Sequence, residues 1–329
     1  MRRREFIALL GGSAVSWPLS SRAQQNDHAR RIGWLDLYDE NADESLAIRR
    51  AFREGLASYG WIEGRNLSID QRFAAGDVNL IRRYAPELVS PAPDVLVTPS
   101  VATTRVMQQA TQTIPIVFTG GGDASANGLV RNIARPEGNT TGFSSSEPER
   151  AGKWLELLKQ AAPQLSRVAI VVKPEVTPTA ANYIASIEIA AQTLLVHTSK
   201  IAFHDAVELV HAIDAFAALP NGGLIVLPPP LLPDRVTILK LAVEHRLPAM
   251  YSNRAVVVEG GLLSYSSDLV EQSRRAATYV DRLLRGVKIA DLPVQFPTKY
   301  QLVVNMKTAK AMDLTIPEPF LLHADEILE

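Results

Sequence analysis

The sequence predicts an α/β protein made of two doubly wound parallel-sheet lobes joined by a three-strand hinge. Three observations predict it. Short apolar, β-rich runs alternate with longer amphipathic stretches along the chain, as in parallel sheets wound by right-handed crossovers. Several runs are continuous Val, Ile and Leu rather than alternating, which is how strands covered on both faces read. Of the 329 residues, about 300 follow the N-terminal segment, more than one hydrophobic core usually serves.

That N-terminal segment comes first. Arg2, Arg3 and Arg4 are followed by an apolar run led by Phe6, Ile7, Ala8, Leu9 and Leu10, then by Ser21-Arg22-Ala23. Basic, apolar and small residues in this order predict an export signal over residues 1–23, cleaved after Ala23. Arg3-Arg4-Glu5-Phe6 also fits a twin-arginine signal. Gly11, Gly12 and Pro18 interrupt the apolar run, which is too short to span a bilayer.

Strand-like runs then fall at 32–37, 67–73, 94–98, 114–118, 168–172, 224–227, 248–251, 262–265 and 302–304. Between the first two, Ile48, Phe52 and Leu56 recur every four residues, with Arg49, Arg50, Arg53 and Glu54 on the other side. Trp154, Leu157, Leu158 and Ala161 repeat that spacing later. The small, polar stretch 139–146 separates two strand–helix series of similar length and is the expected first crossing. Further crossings are expected from Gly260-Gly261 to Ser267 and from Asp291 to Pro297. The expected N-terminal lobe is therefore 31–142 plus 262–290, and the C-terminal lobe 143–261 plus 291–329.

Composition excludes several classes. Lys plus Arg number 34 against 35 Asp plus Glu, and without the export segment the balance is 30 against 34. There is no basic excess for nucleic acid or anionic lipid. The absence of cysteine excludes disulfides, thiolate metal sites and a lipid anchor on an N-terminal Cys. No nucleotide P-loop, no GxGxxG after a strand, no HExxH and no GxSxG occurs, so neither cofactor nor metal is expected. His204 and His211 lack a third spaced ligand and read as a solvated helix face. Gly120-Gly121-Gly122 is either a tight turn or a close backbone approach to a ligand. Pro228-Pro229-Pro230 is a stiff segment that either lines a cleft or serves only as a loop.

What remains is a series of polar loops after the strands, the edge where open α/β sheets bind ligands. Asp39 follows the first run, beside Tyr38. Ser100 and Thr103 start a helix whose amide end suits an anion. Thr119 and Asp123 follow the fourth run, and Asp123 or Asp268 suits an ammonium group. Tyr251 and Tyr265 flank the remaining space and suit an apolar or aromatic ligand body. For each hydroxyl, plain helix capping stays open beside ligand contact.

One family shares these motifs. PIVFTGGGD at 115–123, GLV at 128–130 and RPEGNTTG at 135–142 resemble the tryptophan/tyrosine-type ABC-transporter substrate-binding proteins. GGLLSY at 260–265, ATYVD at 277–281, DLP at 291–293, PTKY at 297–300, VVNMKTAK at 303–310 and ADEILE at 324–329 extend the likeness over nearly all the chain after Arg31. The chain departs from the family pattern at Ala124-Ser125, at Glu137 and at Ser266, while Asp123 and Tyr265 match. The resemblance implies a type I periplasmic binding-protein fold, closing on one small ligand between two lobes. It implies a monomer in the periplasm that hands its ligand to an inner-membrane ABC permease. Two other uses of the same cleft stay open on the residues alone: a ligand-sensing module for a membrane receptor, and an exported α/β enzyme.

Overall fold

The computed structural model describes residues 29–120, 122–145, 148–174, 177, 179–228 and 234–329. The expected export segment, Gly121, Ser146, Pro229 and Pro230 lie outside the described residues. The first sheet alternates β1 (Arg30–Asp36), α1 (Asp43–Ser58), β2 (Leu67–Phe73), α2 (Val78–Val89), β3 (Val95–Thr98), α3 (Val101–Ala110), β4 (Ile116–Phe118) and β5 (Thr140–Gly142). All its strands are parallel, in the order β2-β1-β3-β4-β5. The chain then runs through α4 (Gly152–Ala161), β6 (Arg167–Val172), α5 (Ala180–Leu194), β7 (His197–Ala202), α6 (Ala206–Ala217), β8 (Gly222–Val226), α7 (Asp234–Glu244), β9 (Ala249–Tyr251), α8 (Arg254–Val258) and β10 (Leu263–Ser267). After α9 (Leu269–Leu284) come β11 (Tyr300–Asn305), α10 (Met306–Ala311), α11 (Glu318–Leu321) and β12 (Glu326–Leu328). The second sheet is ordered β12-β11-β10-β9-β8-β6-β7, with β11 antiparallel to β10.

Local chemistry explains these elements. Ile48, Phe52 and Leu56 bring one face of α1 onto the sheet, where Phe52 meets Trp34 at 5.1 Å between ring centroids. Side-chain caps start the helices: Asp77 accepts from the amides of Asn79 and Leu80, Asp205 from Val207 and Glu208, and Asn253 from Ala255. Across the second sheet, Leu155 and Leu158 of α4 share a core with Val168, Ile170, Leu224 and Met250. Helix α9 completes the first lobe although its start lies 211 residues after the end of α1. Gly55 makes this possible: a Cβ there would lie 2.7 Å from the Ala277 Cβ and from the Arg274 carbonyl oxygen. Trp61 Nε1 donates to Asp281 at 2.8 Å across the same contact.

The boundaries differ from the expected ones. Residues 262–267 do not belong with the first lobe, because β10 is hydrogen-bonded between β9 and β11 in the second sheet. Gly260, at φ 119°, makes the turn into β10 rather than a crossing. Residues 291–294 stay with the first lobe: Leu292 lies in its core and the Val294 amide donates to the Ile133 carbonyl at 2.7 Å. The chain therefore leaves the first lobe after Gly142, by way of residues 143–145, and crosses again at 267–269 and at 295–300.

Candidate functional site

In an open parallel sheet the ligand crevice lies outside the carboxyl ends of the strands, where strand order reverses. That point falls between β1 and β3 in the first sheet and between β6 and β8 in the second. The crossings decide how the two edges meet. The first leaves the carboxyl end of β5 and the second leaves that of β10. The third enters β11 at its start, and because β11 is antiparallel this lies at the same edge. The two carboxyl edges thus face one another across the hinge.

The crossings are stitched together. Ser144 N donates to Gln295 O at 2.8 Å, and Gln295 N to Gly142 O at 2.9 Å. Ser267 Oγ donates to Ser145 O at 2.8 Å, and Gln272 Nε2 reaches Ser144 O at 2.5 Å. Asp268 caps α9 through the Glu271 amide at 2.9 Å, accepts from Gln301 Nε2 at 3.0 Å and lies 3.8 Å from Lys299 Nζ. Its carboxylate is already engaged by the hinge, so it ties two crossings together instead of offering a free charge to an ammonium group.

On the first lobe, Ser100 caps α3 by accepting from the Thr103 amide at 3.2 Å, and Thr103 Oγ1 lies 2.8 Å from Ser100 Oγ. Thr103 is fully buried and its hydroxyl turns back to Ser100 O at 3.1 Å. Thr103 therefore shapes the helix end and presents no atom to a ligand, contrary to the expectation for its side chain. Thr119 is buried beside Thr98, whose carbonyl accepts its amide at 3.0 Å. Asp123 is half-buried, and its Oδ1 accepts from the Ser125 and Ala126 amides at 3.1 and 2.9 Å. Asp39 is exposed and caps the Asn41 amide at 2.8 Å.

A buried charge at this edge escaped the sequence reading. Asp36 ends β1 and accepts from Trp34 Nε1 at 3.1 Å, Tyr38 N at 3.0 Å and Ser45 Oγ at 3.3 Å. Burial pushes its carboxyl above the usual aspartate range, against the pull of these donors and of the Arg49 charge. Arg49 also donates to the Glu40 carbonyl and lies 4.4 Å over the Phe73 ring. Together Asp36 and Arg49 tie the 37–42 loop to the start of α1, through Tyr38, Ser45 and the Glu40 carbonyl. The apolar context of Asp36 in WLDLY hid it, since it reads there as part of a strand.

On the second lobe, Tyr251 is enclosed rather than lining the gap. It is 1% exposed in the core, and a Cβ at Gly261 would lie 2.8 Å from its ring. Burial raises its hydroxyl pKa. Its expected contact with a ligand is therefore replaced by packing. Tyr265 is half-buried and stacks on Tyr300 at 5.3 Å, with Arg150 5.4 Å over the Tyr300 ring. Trp154 Nε1 holds the Tyr265 carbonyl at 2.8 Å. This aromatic column joins the first and third crossings to β10. Tyr300 was missed because it lies 35 residues from Tyr265 in sequence and meets it only when β10 and β11 pair. Lys173 and Asp234, at the β6–β8 switch point, pair at 2.8 Å. They were hidden because they are 61 residues apart in sequence.

The geometry matches known proteins. The sequence profile described as "ABC transporter substrate binding protein" matches residues 41–328. The chain belongs to this family. It is similar to a tyrosine-binding protein of Clostridioides difficile (strain R20291), at 25% identity over 95% of this chain and 94% of that one. Among solved structures it resembles a conserved domain protein from Vibrio cholerae, at 25% identity and TM-score 0.80 over 91% of this chain and 99% of that chain. An L-Trp complex from Streptococcus pneumonia has the same TM-score, 0.80, at 22% identity over 91% and 99% of the two chains. Among the described residues no three His, Asp or Glu side chains group to hold a metal.

Proposed function

We propose that the chain is the secreted solute-binding component of an ABC importer, which takes up a small amino acid with an aromatic side chain between its lobes. The observation that carries this reading is the meeting of two switch-point edges across three stitched crossings. A ligand touching both edges favours the closed arrangement by its differential affinity for it. The half-buried Tyr265, stacked on Tyr300 beside the crossings, offers an aromatic surface. The likeness to a tyrosine-binding protein and to an L-Trp complex points to the same ligand class. The monomer would work in the periplasm and present both lobes to an inner-membrane permease. Thermal melts with the common amino acids test this. L-tyrosine or L-tryptophan at 100 times its Kd should add about 2.7 kcal/mol of stability and raise Tm. A Tm unmoved by every amino acid, aromatic acid and related carboxylate contradicts the proposal.

A further inference from the structure

We propose that Lys173 is the carboxylate-binding group of the second lobe and that Asp234 positions it; this rests on the proposed binding of an amino acid in the gap. Lys173 directly follows β6, and Asp234 begins α7 after β8, so their pair spans the second sheet's switch point. The exposure of the two side chains is unequal. Lys173 keeps 24% of its side chain accessible and Asp234 only 7%, so the lysine is the more accessible partner of the pair.

An ammonium group carries three donors. One goes to Asp234 Oδ2 at 2.8 Å. The ring of the buried Phe203 lies 5.5 Å from Nζ and limits its swing. Two donors are not taken up by Asp234, and Lys173 directly follows β6 at the carboxyl edge of the sheet. Two other cations of this lobe and its hinge are engaged elsewhere: Arg254 holds Glu326 by two bonds of 2.6 Å, and Lys299 lies beside Asp268. A charge-assisted bond from a lysine whose partner fixes its rotamer costs little further ordering on binding. On the first lobe, the Thr103 hydroxyl is turned back to the Ser100 carbonyl.

Calorimetry with matched ligands tests the assignment. L-tyrosine and tyramine differ only in the carboxylate, as do L-tryptophan and tryptamine. Lys173→Met should weaken the amino acid by about 10- to 100-fold and leave the amine within about twofold. Lys173→Arg should restore part of the preference for the acid. Asp234→Asn, which keeps the shape but frees the lysine, should reduce that preference by a smaller factor, with the unliganded melting temperature as the control for folding. If Lys173→Met weakens acid and amine alike, or neither, the assignment is wrong while the binding function stands. If the unaltered protein binds none of the four, the proposed function fails and this inference fails with it.

Discussion

Gly142→Val should lower the unfolding free energy by about 3–5 kcal/mol, through backbone strain and overpacking together. Gly142 ends β5 at φ 152°, in a region L side chains rarely adopt, and a Cβ there would lie 2.1 Å from the Phe118 carbonyl oxygen. That oxygen accepts the Phe143 amide at 2.8 Å, and the Gly142 carbonyl accepts from Gln295. The side chain thus cannot be accommodated without pulling the first crossing off both β4 and the third crossing. Gly138→Ala is the control, since Gly138 also has positive φ, 84°, but nothing lies within 4 Å of its added Cβ. It should cost about 1–2 kcal/mol. Urea denaturation of the two variants separates steric closure at the crossing from positive φ alone. Equal losses would show that the close approach to Phe118 carries no weight.

Trp34→Ala should cost about 3–5 kcal/mol, because it empties the most voluminous fully buried side chain of the first lobe. The ring packs on Phe52, and its Nε1 donates to Asp36 at 3.1 Å. Losing that donor leaves the buried carboxylate with fewer partners, which adds to the cavity term. Trp34→Phe keeps most of the packing and removes only the donor, so it should lose clearly less. The difference between the two, read from urea midpoints, separates packing from the hydrogen bond. A Phe variant as unstable as the Ala variant would place the whole effect in the Asp36 network.

The alternation of strands and helices was legible because the buried strands are nearly pure Val, Ile and Leu, as in VLVT at 95–98. Strands without that signature were not. β7, HTSKIA, is an exposed edge strand whose polar residues face solvent, and β5 is only Thr-Thr-Gly. The lobe boundary at Gly260-Gly261 was misread because a glycine pair marks a turn as readily as a crossing; only strand pairing distinguishes them. Ser100, Asp123 and Asp268 stood out as polar residues after strands, and each proves to cap local amides. Lys173, Asp234 and Tyr300 did not stand out, since their partners are distant in sequence and meet only when the second sheet is built, and Asp36 was hidden in the apolar run WLDLY. Loop position is visible in sequence, whereas the direction a side chain takes depends on contacts from distant strands.

The central claim is that a ligand drives the two carboxyl edges together about the three crossings. The chain has no cysteine, so Val78→Cys and Val236→Cys place two unique spin labels, one at the start of α2 and one in α7. Both positions are about half exposed, at 49% and 57%. Pulsed dipolar measurements with saturating L-tyrosine or L-tryptophan should show the interlabel distance distribution shift to a shorter, narrower population. A distribution unchanged by a ligand that calorimetry shows to be bound would contradict closure, and with it the account of how this protein works.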